Sequence, residues 1–277
     1  MAIKDILVHV DHSRACPARL NAATRFAQRC EAHLTGLYVV PRYQIPVYAE
    51  IPIGQEVIEE GMKAMWERAD KCQETSEEVV QSLGSSLEWR ALEGDYLGVL
   101  TENARYSDLL ILGQPNSDDE DDISIGFINK VILDSGRPNL IIPYVGNYQD
   151  IGKTILIAWN ASRESARAVN DAMSLLEKAD NVEVMSVNPQ KQAVDEGDLP
   201  SADIAQHLAR HGVKVEARST IANDIDAGNL LLSHAADIGA DLIVMGAYGH
   251  SRFRETILGG VTRELLKHMT VPVLMSH

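Results

Sequence analysis

Short continuous apolar runs alternate with longer stretches in which apolar residues return every three or four positions, and the alternation repeats along the chain. Short runs bounded by turn-forming residues read as strands buried on both faces, and the 3.6-residue period reads as helices covering them. In the later part of the chain the pattern predicts strands near 153–158, 182–187, 213–219, 241–245 and 271–276. Helices are expected there near 163–178, 200–211, 224–238 and 260–269, the first burying Ala166, Val169, Met173 and Leu176. The earlier part follows the same plan, with strands near 5–10, 33–39, 87–92, 108–112 and 139–143. This order indicates an α/β chain built on open parallel sheets with helices on both faces.

The two parts are copies of one unit. Lys4-Asp5-Ile6-Leu7-Val8-His9-Val10-Asp11-His12-Ser13 returns as Lys153-Thr154-Ile155-Leu156-Ile157-Ala158-Trp159-Asn160-Ala161-Ser162. Ser107-Asp108-Leu109-Leu110-Ile111-Leu112-Gly113 matches Ala240-Asp241-Leu242-Ile243-Val244-Met245-Gly246, and Pro138 to Ile142 matches Pro272 to Ser276. Two copies are too few for a solenoid and make a tandem duplication instead. The expected domains are 1–146 and 151–277, with a seam near Tyr144 to Gly152 where Gly146, Asn147 and Gly152 interrupt the pattern.

One difference between the copies is large. After Val40 the first inserts Pro41 to Ile53 and a helical run over 54–83, along which Ile58, Met62, Met65, Ala69, Cys72, Ser76, Val79 and Leu83 form a narrow apolar seam. A seam of this kind packs on its own sheet and on the sister domain, or recruits a protein partner.

Composition narrows the function classes. The 277 residues include 40 acidic and 25 basic side chains, a net charge of −15 that repels phosphate backbones and anionic lipid, so nucleic-acid and membrane partners are not expected. No apolar run reaches the ~18 residues of a membrane span, and the charged start Met1-Ala2-Ile3-Lys4-Asp5 shows no signal peptide. Cys16, Cys30 and Cys72 are odd in number and lack CxxC spacing, which fits a reduced, cytoplasmic protein.

Any anionic ligand must therefore find a local positive site, and the second copy supplies a candidate. Open parallel sheets bind ligands beyond the carboxyl ends of their strands, where the strand order reverses. Two loops of the second copy reach that edge, Trp159 to Ser162 and Gly246 to Gly259. Glycines at 246, 249, 259 and 260 admit close backbone approach. The last pair opens a helix whose first amides and positive dipole end suit an anion. His250, Arg252, Arg254 and Arg263 stand around the loop against one acid, Glu255.

With these residues the chain resembles the universal stress protein family in its tandem form, most strongly from Asp241 to His277. Family members that hold ATP carry Gly-x2-Gly-x9-Gly followed by Ser or Thr. Gly246, Gly249 and Gly259 stand at those spacings, with Gly260 in place of the hydroxyl residue. The resemblance implies a Rossmann-like, adenine-nucleotide alpha-hydrolase-like fold, two five-stranded sheets packed as a pseudo-dimer. It also implies ATP or ADP, with or without Mg, in the second domain. Gly246 and Gly249 would then face ribose and phosphates, and Gly259, Gly260 and Val261 amides would grip phosphate oxygens beside Thr262, with His250 and Arg252 close by. Asn160 replaces the family's aspartate, followed by Ser162, and Val187 would offer its backbone to adenine. Each replacement costs about 0.5–1.5 kcal/mol, together on the order of ten- to a hundred-fold in affinity.

The first copy shows the opposite pattern. It keeps Asp11 and Ser13, but its loop runs Gly113-Gln114-Pro115-Asn116-Ser117-Asp118-Asp119-Glu120-Asp121-Asp122. Five acids at the phosphate approach oppose a triphosphate, so this copy is not expected to hold ATP. The run reads as a solvated loop, with calcium a minor alternative. Neither first-strand turn carries G-x-G-x-x-G, and Walker A, G-x-S-x-G and HExxH motifs are absent, so no catalytic residue and no metal ligand is assigned. Three readings stay open: a nucleotide-binding stress-response module with at most slow hydrolysis; an interaction protein with both pockets degenerate; and a binder of a smaller anion such as AMP or an organic acid. Association into a homodimer also stays open.

Overall fold

A computed structural model describes residues 2–42, 55–119, 121, 123–188, 200–221, 226–248 and 260–277. The first half contains β1 (Asp5–Val10), α1 (Cys16–Cys30), β2 (His33–Pro41), α2 (Gln55–Ser82), β3 (Glu88–Gly94), α3 (Tyr96–Ala104), β4 (Leu109–Gly113), α4 (Ile125–Asp134) and β5 (Asn139–Ile142). The second contains β6 (Thr154–Ala158), α5 (Arg163–Leu176), β7 (Asn181–Val187), α6 (Pro200–Arg210), β8 (Val215–Thr220), α7 (Ala227–Asp237), β9 (Leu242–Gly246), α8 (Gly260–His268) and β10 (Val273–Ser276).

Among the described residues the strands form one sheet in the order β3-β2-β1-β4-β5-β10-β9-β6-β7-β8. Pairing within each half is parallel, and the order reverses between β1 and β4 and again between β6 and β9. The expected pair of five-stranded sheets is thus joined edge to edge. β5 and β10 run antiparallel, with Ile141 opposite Val273, Leu140 opposite Leu274 and Asn139 opposite Met275.

Strand side chains alternate between the two faces. Ile6, Val8, Ile155 and Ile157 pack with Leu20 and Phe26 of α1 and Val169 and Leu176 of α5. Leu7 and Leu156 face Leu100 of α3, Ile128 of α4, Leu231 of α7 and Leu265 of α8. The buried stripe of α5 is Ala168, Val169, Ala172, Leu175 and Leu176, while Ala166 is exposed and Met173 only partly buried. Ala168 and Ala172 continue the same period one step round the helix, and small alanines there bring α5 close to the sheet.

The apolar seam of α2 is core only at its carboxyl end. Ala69, Cys72, Ser76 and Val80 are buried, whereas Val57, Met62 and Trp66 are exposed. At 28 residues and ~1.5 Å per residue, α2 is longer than the strands beside it, β2 of nine residues and β3 of seven.

A repeated aspartate explains a repeated motif. The carboxylate of Asp241 accepts the amides of Gly152 at 2.7 Å, Lys153 at 3.0 Å and Thr154 at 3.3 Å, organising the entry to β6. Asp108 does the same for Lys4 at 2.7 Å and Asp5 at 3.1 Å ahead of β1. Arg29 of α1 reaches across the seam, its guanidinium donating to the carbonyls of Ile151 at 2.6 Å and Gly152 at 2.8 Å. Asp241→Ala strands three amides at this junction. It should lower unfolding free energy by about 1–3 kcal/mol, read by urea denaturation, with Asp241→Asn losing less.

Candidate functional site

The loop after β6 is shaped by local bonds. The side-chain carbonyl of Asn160 accepts the amide of Ser162 at 3.2 Å, and Ala161 between them takes a left-handed φ of 57°. Ser162 caps α5, its hydroxyl accepting the amide of Ser165 at 3.1 Å. A turn of this kind lifts the chain off the strand end and starts the helix one residue later.

Beside this loop a cleft of about 220 Å³ opens where the strand order reverses, larger than the water-sized voids of ordinary packing. Its apolar wall is formed by Ala158, Met185, Val187, Leu231 and Met245, with Ala227 at the start of α7. Trp159, Asn160 and Tyr248 supply the aromatic and amide groups, and Gly246, Gly260, Val261 and Thr262 complete the boundary. The described lining carries no charged side chain. Its polarity at one end is that of α8, whose first-turn amides have no partner within their own helix. Lys267 and His268 in the last turn of α8, and no acid in the first, agree with the positive pole facing the cleft.

Two glycines play different parts. A Cβ on Gly246 would lie 2.4 Å from the Glu164 carbonyl carbon and 2.4 Å from the Ser165 nitrogen, so only glycine lets β9 end against the start of α5. Among the described residues a Cβ on Gly260 would meet nothing within 4 Å. Its missing side chain leaves open space at the cleft.

Of the residues singled out from the sequence, Asn160, Val187, Gly246, Gly260, Val261 and Thr262 line this one cleft, and Ser162 caps α5 beside it. Gly249, His250, Arg252 and Gly259 lie outside the described residues. Trp159, Tyr248, Ala158 and Ala227 belong to the lining and were not singled out. A comparison of the two copies could have found the alanines.

That comparison also explains the first half. Counting from matched strand ends and the helix-capping Asp95 and Asp226, Ala158, Ala227 and Val261 correspond to His9, Tyr96 and Phe127. The three larger side chains pack on one another. His9 Nε2 lies 2.6 Å from the Tyr96 hydroxyl, and the Tyr96 and Phe127 rings meet edge to face at 5.2 Å. The space that is a cleft in one half is filled by an aromatic plug in the other. Asp11 is also engaged: Arg19, buried where the second half has Ala168, places Nη2 2.8 Å from its carboxylate, and the Ser13 hydroxyl donates to it at 2.5 Å.

The described acids of the loop are largely exposed, as expected of a solvated run, and two of them also make contacts. Asp119 accepts the amide of Arg14 at 2.7 Å and Asp121 pairs with Arg68 of α2 at 3.0 Å, tying the loop to the edge of the first half. Among the described residues no group of three His, Cys, Asp or Glu could hold a metal ion. Cys16, at the start of α1, is buried, and burial pushes its thiol up rather than toward a reactive thiolate.

Burial above all pushes the His9 imidazole down to about 4, with Asp11 opposing the shift and Arg19 adding to it. For Asp11 burial alone would raise the carboxyl, but Arg19, His9 and Ser13 outweigh it and hold it below the usual range. The folded cluster therefore contains neutral His9 against an Asp11–Arg19 ion pair.

The model of the universal stress protein family matches residues 152–277. A curated universal stress protein of Synechocystis sp. is 27% identical over 151 residues, 53% of this chain, and the chain spans about half of it, 49% of its length. The solved structure of a universal stress protein from Archaeoglobus fulgidus superposes with a TM-score of 0.73 at 16% identity, covering 98% of this chain and 95% of the other. A functionally unknown protein from Pseudomonas aeruginosa PAO1 gives a TM-score of 0.63 at 16% identity, covering 99% and 92%. The similarity to both structures runs through the two halves together.

Two outcomes are expected of the plugged half. Tyr96→Ala should cost about 2 kcal/mol or more in thermal or chemical denaturation, because it breaks the bond to His9 and leaves a void. Unfolded His9 titrates near its ordinary 6.5 and the folded residue near 4, so the unfolded chain binds more protons between these values. Stability should fall as pH drops through that window, by at most ~1.4 kcal/mol per pH unit from this residue. Asp11, depressed when folded, adds a further loss below its ordinary 3.8. His9→Gln should flatten the upper part of the profile.

Proposed function

Because the universal stress protein family model matches residues 152–277, we propose that this second half binds an adenine nucleotide, ATP or ADP, in the cleft at the β6–β9 reversal. The observation that carries this reading is the contrast between the halves. Where the first half has His9, Tyr96 and Phe127 packed together, the second keeps Ala158, Ala227 and Val261 around open space. The flat apolar wall of Met185, Val187, Leu231 and Met245 suits a base, and the first turn of α8 suits phosphate oxygens. Asn160 and Thr262 offer neutral hydrogen-bonding groups between the two ends. Any Mg would arrive with the phosphates, since the described lining contains no carboxylate. The role in this reading is to hold the nucleotide within a stress-response module, with at most slow hydrolysis; the described lining presents amide, hydroxyl and backbone groups.

Isothermal titration with ATP, ADP and AMP, with and without Mg, tests this reading. Saturable binding of ATP or ADP at one ligand per chain is expected. Gly260→Ser, with no described residue within 4 Å of the new Cβ, should tighten it about three- to tenfold by restoring one neutral hydrogen bond. Gly246→Ala should abolish it, its Cβ overlapping Glu164 and Ser165. Absence of heat and of any melting shift at millimolar ATP and ADP would overturn the proposal, and binding of AMP alone would replace it with the smaller-anion reading.

A further inference from the structure

Both walls of the cleft in the second half are held by side chains of the first half. Tyr248, which lines the cleft just beyond β9, has a left-handed φ of 66°. A bulky side chain keeps such a backbone only where its surroundings impose it. Three contacts do so. The Tyr248 hydroxyl donates to the side-chain carbonyl of Asn129, which lies on α4 of the first half and is 8% exposed. The Tyr248 ring stands edge-on to His277 at 6.3 Å, and His277 Nδ1 lies 3.0 Å from the carbonyl of Ala247, the preceding residue. The opposite wall is α8, with Gly260, Val261 and Thr262 on the cleft. Gln114 of the first half, buried after β4, donates from Nε2 to the carbonyls of Leu266 at 3.1 Å and Lys267 at 3.1 Å near the other end of that helix. Its Oε1 is fixed in turn by the amide of Tyr144 at 3.2 Å.

We infer that Asn129 is a positioning residue for the second-half cleft, acting through Tyr248, and that this ligand site is incomplete without the plugged first half. The inference rests on the reading of the cleft as a nucleotide site. Asn129 sits two residues beyond Phe127 on the same helix. The helix that supplies part of the plug in one half therefore supplies the anchor of the other. The first half has exchanged its own ligand space for a rigid support, and Gln114 gives α8 a second support on the same side.

The test compares the full chain with Asn129→Leu, Asn129→Asp and Tyr248→Phe. Asn129→Asp keeps an acceptor for the hydroxyl, and the other two lose the bond from either end. ATP affinity by titration calorimetry should fall about three- to tenfold in Asn129→Leu and in Tyr248→Phe. The double variant Asn129→Leu/Tyr248→Phe should be no weaker than the single ones, because both remove one interaction. Asn129→Asp should stay close to the parent chain. In ligand-free protein, amide hydrogen exchange over 246–248 and 260–262 should accelerate in Asn129→Leu and Tyr248→Phe but not in Asn129→Asp. Unchanged affinity and exchange in Asn129→Leu, or additive losses in the double variant, would overturn the inference. If the parent chain takes up no ATP, the nucleotide reading fails by itself, and the exchange comparison still decides whether Asn129 positions the cleft wall.

Discussion

The antiparallel pairing of β5 with β10 is the constraint on which the other features depend. Three residue pairs, Ile141–Val273, Leu140–Leu274 and Asn139–Met275, lie at the centre of a ten-stranded sheet with no accessible surface to speak of. Edge strands with unpaired backbone groups are costly to bury, and here each half closes the other's edge. The pairing relates the halves by an approximate two-fold. That relation brings α4 to the loop after β9 and α8 to the loop after β4. The bonds Tyr248–Asn129 and Gln114–Leu266 follow from it.

Around this axis the two halves have been completed in two ways. A site at the reversal of strand order must either be filled by its own side chains or be left open, because interiors are close-packed and partial voids are destabilising. The first half takes the former course, with an aromatic trio and a buried Asp11–Arg19 pair. A buried ion pair of this kind is retained only with its partners in place, since removal of either leaves an uncompensated charge. The second half takes the latter, substituting alanine at two of the three plug positions and valine at the third.

Much of this was legible in the chain. Strand positions and the reversal-point loops follow from periodicity and from the matched segments Lys4–Ser13 and Lys153–Ser162, because buried parallel strands leave a clear apolar signature. The buried face of α5 was one step off, since alanine is weak evidence for either side of a helix. The seam of α2 was only half right: heptad spacing reports which residues share a face, not how deeply that face is buried, and Val57, Met62 and Trp66 stay exposed. The filling of the first half was not legible. Its acids and Asn116 are conspicuous in sequence, but the filling comes from His9, Tyr96 and Phe127, separated by up to 118 positions and brought together only by the fold.

The asymmetry between a filled and an open compartment bears on how such a chain can respond to concentration. Homotropic cooperativity requires at least two equivalent sites that sense each other. With one of the two related compartments filled by aromatic side chains, a single chain that takes the proposed nucleotide in the other offers no second equivalent site among the described residues, so that binding would follow a simple hyperbola. Any steeper, switch-like response would have to come from association of several chains.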